Sequence, residues 1–437
     1  MVLILPLPVS GKKKQKDNFP KIDAKTAIVM NAKNGDVLYH KYMYRKKYPA
    51  SLTKLMTVLL TLEQCQLNEK VKFSKNAIES IEPRSSNIGM LPGEVITVEQ
   101  CLYGMMLESA NEVCVAVAEH ISGSSEQFAK LMTKRAKELG CKNTHFMNPH
   151  GLHDDQHYTT AYDTALILKE LLKNPTFRRI SGSKNFQLKK TNKQPMRWLG
   201  NHHKMIRYGT SASYSLSPNL TITSGKTAFT TKAKTCLSTS ATDGSMELIC
   251  IVMDDAGICV YWDTKALLEH AYEHYYEYNP VRSYPSLKVN KKNIIAYNFM
   301  HFQNSKPLPL AIPSDFTITL PKKTPKNKIS KKVIEDIDYS KNLYGYMNFY
   351  FDHKKIATTP IYFKSFTEPI QKMDNSFYAD LLNFNPDNLL VKINENYQKY
   401  PAYYYIGAGA TLLSMAYLRL IIKRRSLRKN KRKQSQK

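Results

Sequence analysis

Acidic residues are scarce in this sequence: 36 Asp+Glu stand against 64 Lys+Arg in 437 residues, so the formal net charge is +28. Glycine (17) and proline (21) are too few for a collagen-like or low-complexity chain. The 42% of hydrophobic residues is instead enough for substantial cores in two or three domains. The positive charge alone is compatible with nucleic acid, with an anionic membrane or wall, or with basic tails.

Cysteine is also infrequent and lacks the spacing of a metal site. The seven cysteines are odd in number, and none forms a C-x-x-C pair. This pattern gives little support to a zinc site or a disulfide framework. The neighbours His202 and His203 would point to opposite sides of a strand, with no third ligand nearby. We therefore predict no metal and no cofactor, and since no nucleic-acid motif accompanies the basic segments, no nucleic-acid partner.

The C-terminal region contains a candidate membrane segment. Residues 403–422 are mainly apolar with one charge, at Arg419, and a helix of this length extends about 30 Å, enough to span a bilayer. The basic residues of 423–437 predict a cytoplasmic tail, with the preceding chain on the other side of the membrane. The alternative is a buried core helix with a solvated tail, although Gly407 and Gly409 weaken a helix.

This topology requires an export signal, which the N-terminus provides only incompletely. Residues 1–9 are apolar, but they are short, contain two prolines and lack a basic n-region. Either the true start lies upstream, or the segment acts as a minimal signal. We assign residues 1–23 to an apolar start and a basic linker.

The region between the two ends divides into two parts that differ in their pattern of hydrophobic residues and turn-forming residues. Residues 24–276 alternate strand-like and helical patterns, with strand-like runs at 26–30 and 246–253, which predicts a mixed α+β domain. Residues 280–372 read as short strands broken by proline and lysine, which predicts a small all-β domain. Residues 373–402 are a polar connector.

A serine and a lysine with catalytic spacing open the first long helical pattern. The apolar spacing from Leu52 to Leu60 predicts a helix with Ser51 at its N-terminus and Lys54 one turn further, on the same face. A lysine shielded from water can deprotonate a serine, and backbone N–H groups at a helix start can stabilise an oxyanion. For this motif alone the alternative is a helix cap with a solvated lysine. The same S-x-x-K pattern also occurs at Ser10/Lys13, Ser181/Lys184 and Ser426/Lys429.

Two later segments give this motif a context. Ser109 and Asn111 interrupt two helical stretches, and Lys226-Thr227 follows a strand-like run. In this order the segments resemble the S-x-x-K, S-x-N and K-T-G motifs of the low-molecular-mass penicillin-binding D-alanyl-D-alanine carboxypeptidases, relatives of the serine β-lactamases. The resemblance covers about residues 24 to 276 and extends to the β-rich stretch and the C-terminal anchor.

The resemblance implies an α+β fold: a β-lactamase/transpeptidase-like sheet with flanking helices, followed by a small all-β domain and a C-terminal transmembrane helix. It implies that Ser51 is acylated by the substrate carbonyl, that Lys54 accepts the serine proton, and that Ser109 relays a proton to the leaving D-alanine.

The resemblance also implies the substrate contacts. Asn111 would hydrogen-bond the substrate amide, and Lys226 and Thr227 would hold the terminal carboxylate by charge-assisted hydrogen bonds. The backbone N–H groups of Ser51 and Phe229 would form the oxyanion hole.

One residue departs from the family pattern, because Ala228 stands where the third motif has glycine. A methyl group there would crowd a strand that must lie against the substrate backbone. We expect weakened rather than abolished turnover, and a catalytically impaired wall-interaction protein is the alternative. A β-lactamase ranks lower, because a membrane anchor and a second domain suit a fixed wall enzyme.

The resemblance and the charge distribution together predict partners and location. We expect a peptidoglycan stem peptide as substrate, β-lactams as covalent inhibitors, and a membrane-anchored protein with its catalytic domain outside the cytoplasmic membrane. Ten Lys+Arg and no acid lie between Arg419 and Lys437, which leaves 28 − 10 = +18 on the exported part. That remainder suits an anionic wall and membrane surface.

Overall fold

The computed structural model describes residues 19–281, 310–338 and 341–363. The described residues divide into two compact units, one of residues 19–280 with Thr317–Thr324 and one of residues 281, 310–316, 325–338 and 341–363. The predicted transmembrane helix, connector, cytoplasmic tail and N-terminal signal segment lie outside the described residues. Within the described ranges, no helix is long and apolar enough to cross a membrane.

The elements follow one another in an order that mixes helices with strands. They are β1 (Thr26–Asn31), β2 (Val37–Lys41), a 3₁₀ turn (Ala50–Thr53), α1 (Lys54–Gln64), β3 (Lys70–Lys72), α2 (Lys75–Glu79), β4 (Val95–Thr97), α3 (Val98–Leu107), α4 (Asn111–Ser122), α5 (Ser125–Glu138), α6 (Ala161–Leu171), α7 (Pro175–Ser181), β5 (Asn185–Leu188), β6 (Arg197–Gly200), α8 (Lys204–Tyr208), a 3₁₀ turn (Gly209–Ser211), β7 (Thr221–Thr230), β8 (Lys234–Thr242), β9 (Glu247–Asp255), α9 (Cys259–His274), β10 (Tyr275–Tyr278), β11 (Leu310–Ala311), β12 (Ile318–Pro321), a 3₁₀ turn (Lys326–Lys328), β13 (Ser330–Asp338), β14 (Leu343–Phe351) and β15 (Lys354–Phe363).

The first unit is built on a five-stranded antiparallel sheet of order β2-β1-β9-β8-β7. Successive side chains of a strand point to opposite faces, so a strand buried on both sides contributes to two cores. In β1, Ile28 and Met30 join the core cluster that contains α1, α3 and α4, whereas Ala27 and Val29 join the cluster that contains α9. Helices therefore cover both faces of the sheet, and the predicted α+β fold is confirmed.

The second unit contains a four-stranded antiparallel sheet of order β11-β15-β14-β13. Three of its large side chains, Tyr344, Met347 and Phe349, are fully buried, as expected for a sheet that packs one face into a core. This sheet fits the predicted small all-β domain.

One predicted strand of that domain belongs instead to the first unit. Residues 318–320 of the alternating segment Phe316–Leu320 lie in β12, which pairs with β10. Polar side chains of the β1–β2 turn hold it there: Thr319 N–H donates to Asp36 Oδ2 (2.7 Å), and Asn31 Nδ2 donates to Thr319 Oγ1 (3.0 Å). The alternation of the segment predicts a strand but carries no information about its pairing partner.

A glycine from a distant loop supports the turn that precedes α1. Gly151 has φ +91°, and a Cβ built on it would lie 1.9 Å from Ala50 O and 2.7 Å from Thr53 Oγ1. A Cβ atom cannot lie so close to another heavy atom. Only glycine, which has a hydrogen in place of Cβ, therefore lets this loop pack directly onto the 3₁₀ turn Ala50–Thr53. Gly140 has nearly the same conformation, φ +90°, but open space around the Cβ position.

The two glycines provide a matched pair of substitutions. Gly140→Ala should lower the free energy of unfolding by about 1 kcal/mol, the cost of a left-handed alanine. Gly151→Ala carries the same backbone cost and a clash with the Ala50 backbone, so we expect a loss of about 3 kcal/mol or more. Urea unfolding of both variants measures the difference, and equal losses would show that the close packing at Gly151 is unimportant.

Candidate active site

Three predicted residues meet at one hydroxyl group. Ser51 lies in the 3₁₀ turn Ala50–Thr53, Lys54 is the first residue of α1, and Ser109 lies in the link between α3 and α4. Lys54 Nζ donates to Ser51 Oγ at 3.1 Å, and Ser109 Oγ donates to Ser51 Oγ at 2.9 Å. The structure therefore places an amine and a second hydroxyl in direct contact with the predicted nucleophile, as the chemistry of proton transfer requires.

The amine of Lys54 is buried and fully engaged. Its Nζ also donates to Asn111 Oδ1 at 2.7 Å and to the backbone oxygen of His150 at 2.8 Å, and the residue has no exposed surface. Burial lowers the pKa of Lys54, against the opposing effect of the nearby Cys114 and Glu112. A lowered pKa favours the neutral amine, which is the form that can accept the proton of Ser51.

Two residues of the site have strained backbone conformations. Ala50, which precedes the nucleophile, has φ 46°, and Ser109 has φ 59°. Residues other than glycine adopt positive φ values only at a cost in free energy, and such conformations persist where the surrounding structure holds the backbone in place. At Ala50 the surroundings include the packed Gly151. The strain thus fixes the directions in which Ser51 and Ser109 meet.

The second cation of the site lies on β7, the terminal strand of the five-stranded sheet. Lys226 is 1% exposed, and its Nζ donates to Thr227 O at 3.1 Å. Burial and then the charge of Lys54 lower the pKa of Lys226 to about 7, while Cys114 and Glu108 act in the opposite direction. A buried, incompletely neutralised cation at a strand edge is suited to binding an anionic group.

The side chains of β7 alternate between its two faces. Ala228 is 4% exposed and belongs to the same core cluster as Ala50, whereas Phe229 is 66% exposed and Thr227 is half-buried. The methyl group of Ala228 is therefore buried, on the face of the strand that also carries Lys226. The strand contacts the turn that carries Ser51, but the predicted oxyanion hole of Ser51 and Phe229 stays a prediction.

Sequence reasoning missed an acidic partner of the site. Glu108 Oε1 accepts a hydrogen bond from Gly200 N at 2.6 Å, and Glu108 Oε2 lies 2.9 Å from His202 Nε2. Burial raises the pKa of Glu108, but the bonds from His202 and Gly200 outweigh it and keep the carboxylate ionised. Its charge acts on Lys226. The position of Glu108 next to Ser109 could have indicated that Glu108 belongs to the site. Its partner His202 could not be recognised in this way, because it is distant in sequence.

The second histidine of the His202–His203 pair has a packing role. His203 Nε2 lies 2.9 Å from Thr239 Oγ1, and the ring lies against Gly225, where a Cβ would come within 2.3 Å of it. Burial and the charge of Lys226 lower the pKa of His203 to about 3, so the imidazole is neutral. The His203 ring leaves no room for a side chain at position 225, which explains why this residue is glycine.

Comparison with known proteins is consistent with this geometry. The family described as D-alanyl-D-alanine carboxypeptidase, peptidase S11, matches residues 12–257. The chain is 38% identical to the D-alanyl-D-alanine carboxypeptidase DacF of Bacillus subtilis over 53% of this chain and 57% of the relative. It is 33% identical to DacC of Escherichia coli over 57% of this chain and 61% of the relative. These matches span less than two thirds of both relatives.

Solved structures share the fold. Penicillin binding protein 5 from Haemophilus influenzae has a TM-score of 0.64 at 24% identity and covers 79% of this chain and 97% of its own. A variant of the Streptomyces K15 DD-transpeptidase has a TM-score of 0.53 at 26% identity and covers 58% of this chain and 99% of its own. The resemblance predicted from the three motifs is thus confirmed. Because the family match extends over more than half of the chain, the protein belongs to the D-alanyl-D-alanine carboxypeptidases of peptidase family S11.

Proposed function

We propose that this protein is a serine-type D-Ala-D-Ala carboxypeptidase that removes the terminal D-alanine from peptidoglycan stem peptides through an acyl-enzyme on Ser51. The observation that carries the proposal is the Ser51 hydroxyl held between the buried amine of Lys54 and the hydroxyl of Ser109. Membership of the carboxypeptidase family supports the same reaction.

In the acylation step, neutral Lys54 takes the proton of Ser51 while Oγ attacks the carbonyl carbon of the scissile peptide bond. The negative charge that develops on the carbonyl oxygen is stabilised by the backbone N–H groups of Ser51 and Phe229. As the C–N bond breaks, Ser109 gives its proton to the leaving nitrogen and receives in turn the proton that Lys54 took from Ser51, so D-alanine departs as a neutral amine and Lys54 is neutral again. Water then hydrolyses the ester, and Ser51 regains its proton.

Substrate binding follows from the position of β7. As the terminal strand of the sheet, it offers an edge to which an extended peptide can add. Lys226 and Thr227 lie on this strand and would hold the terminal carboxylate, which restricts cleavage to the last residue of the peptide. Asn111, whose Oδ1 contacts Lys54, would orient the substrate amide.

The remaining partners follow from the same chemistry. A β-lactam presents a strained amide carbonyl to Ser51 and would acylate it as a covalent inhibitor. We further propose that residues 403–422 anchor the protein in the cell membrane, with the catalytic unit outside and the basic tail inside, on the basis of the apolar stretch and its flanking charges.

Covalent labelling tests the nucleophile. Ser51→Ala should abolish labelling by a fluorescent penicillin and lower D-alanine release from a pentapeptide by about 10³-fold or more, since no acyl-enzyme can form. The matched control is Ser181→Ala, which changes the serine of another S-x-x-K sequence whose Oγ donates only to Phe177 O. Its labelling should remain at the wild-type level. Labelling that survives Ser51→Ala would overturn the assignment of the nucleophile.

The pH dependence of kcat/KM tests the role of Lys226. Its pKa of about 7 means that the charge is present below this pH and is lost above it. We therefore expect kcat/KM for a peptide with a free terminal carboxylate to fall above about pH 7, because the carboxylate loses its cationic partner. The same peptide with a terminal carboxamide should lack this limb. An identical descending limb for both peptides would assign the titration to another group.

The effect of the unusual alanine is measured by Ala228→Gly. Because the methyl group is buried in the core, we expect D-alanine release to change by less than about threefold and the free energy of unfolding to fall by about 1 kcal/mol. Steady-state kinetics and urea unfolding measure the two effects. A tenfold or greater increase in rate would show instead that the methyl group crowds the substrate and impairs turnover.

A further inference from the structure

A cysteine, a glutamate and a histidine meet on the first unit, at the opposite ends of the helices that begin at the active site. Cys65 caps the C-terminus of α1, His120 lies in the last turn of α4, and Glu69 lies before β3. One potential metal-binding atom from each residue lies within 4.8 Å of the others. Because Glu69 and His120 are 51 positions apart, only the tertiary structure brings the three together.

The geometry of this Cys65–Glu69–His120 cluster is close to that of a metal site. His120 Nε2 and Glu69 Oε2 are 3.1 Å apart. In a tetrahedral zinc site with bonds of about 2.0–2.3 Å, neighbouring ligand atoms lie about 3.3 to 3.8 Å apart. The nitrogen and the oxygen are thus already near this separation, and the thiol sulfur lies within 4.8 Å of both. All three residues are partly exposed, so an ion and a water molecule can reach them.

The electrostatic environment also favours a cation. Both Cys65 and His120 lie at helix C-termini, where the helix dipole is negative. The thiol of Cys65 must lose its proton to bind a metal ion. Binding would release that proton to solvent as the S–metal bond forms, and the thiolate and carboxylate together would neutralise a divalent ion.

We propose that Cys65, Glu69 and His120 bind a Zn²⁺ ion, with water as the fourth ligand, and that this ion links the C-terminal ends of α1 and α4. Thiolate and imidazole ligands select zinc over magnesium or calcium, which prefer oxygen. The mixed ligand set, rather than the usual paired cysteines, explains why cysteine spacing in the sequence predicts no metal site.

The site would act on stability rather than on acyl transfer. The 11 residues of α1 extend about 16 Å, so the cluster lies far from Ser51. At the other ends of the same two helices, Lys54 Nζ donates to Asn111 Oδ1 at 2.7 Å. The zinc link and this hydrogen bond would therefore join α1 and α4 at both ends.

Metal titration of the full-length protein tests this inference. After treatment with a chelator, the protein should bind one equivalent of Co²⁺ and show a thiolate-to-cobalt charge-transfer band, and Zn²⁺ should displace the cobalt. Cys65→Ser should remove the band, and Glu69→Gln and His120→Ala should each weaken zinc binding at least tenfold. Cys259→Ser, which changes the other partly exposed cysteine of the described residues, is the matched control and should bind as the wild type does.

Thermal unfolding provides the second readout. Zinc should raise the Tm of the wild type and of Cys259→Ser but not that of Cys65→Ser, because a ligand that binds only the folded state stabilises it. The metal-free Tm of each variant verifies that it folds, and Glu69→Gln tests the site independently if Cys65→Ser does not. Zinc binding that is unchanged in both variants, or that occurs only at millimolar concentration, would overturn the proposal.

Discussion

The candidate site depends on the burial of one amine. Lys54 has no exposed surface, and its Nζ contacts Ser51 Oγ, Asn111 Oδ1 and the backbone oxygen of His150. Removing a charged amine from water is costly, and the protein meets this cost by lowering the pKa of the group and by satisfying its hydrogen bonds. The same burial supports the proposed role of the lysine as the base for Ser51. Gly151 and the strained Ala50 allow the loop that follows His150 to pack against the turn that precedes Lys54.

A second buried amine makes the site electrically unusual. Lys226 and Lys54 each have a lowered pKa, and the charge of Lys54 contributes to the shift at Lys226. Glu112 acts on Lys54 and Glu108 acts on Lys226, so each cation has its own nearby acid. Their contacts differ, because Lys54 Nζ donates to the Ser51 hydroxyl whereas Lys226 lies on the edge strand β7. This difference supports the proposed roles, in which Lys54 transfers a proton and Lys226 binds an anion.

Much of this arrangement could be predicted from the sequence because it depends on the spacing of residues that are close together in the chain. Helical spacing placed Ser51 and Lys54 on one face, and strand-like runs indicated the sheet edge that carries Lys226. The contact of Gly151 with Ala50 and the ion pair of Glu108 with His202 join distant segments. The hydrophobic periodicity of the sequence cannot predict such contacts. For the same reason the alternation of Phe316–Leu320 predicts a strand but not its pairing with β10.

The other described S-x-x-K sequence shows why the motif alone is insufficient. Ser181 ends α7, where its Oγ donates to Phe177 O within the helix, and Lys184 is exposed to solvent. The residue types and spacing equal those of Ser51 and Lys54, but nothing encloses the amine. The partners that enclose Lys54 come from positions 57 and 96 residues further along the chain. The proposed activation of Ser51 therefore depends on the whole first unit, because Lys54 is enclosed only when those distant segments are folded around α1.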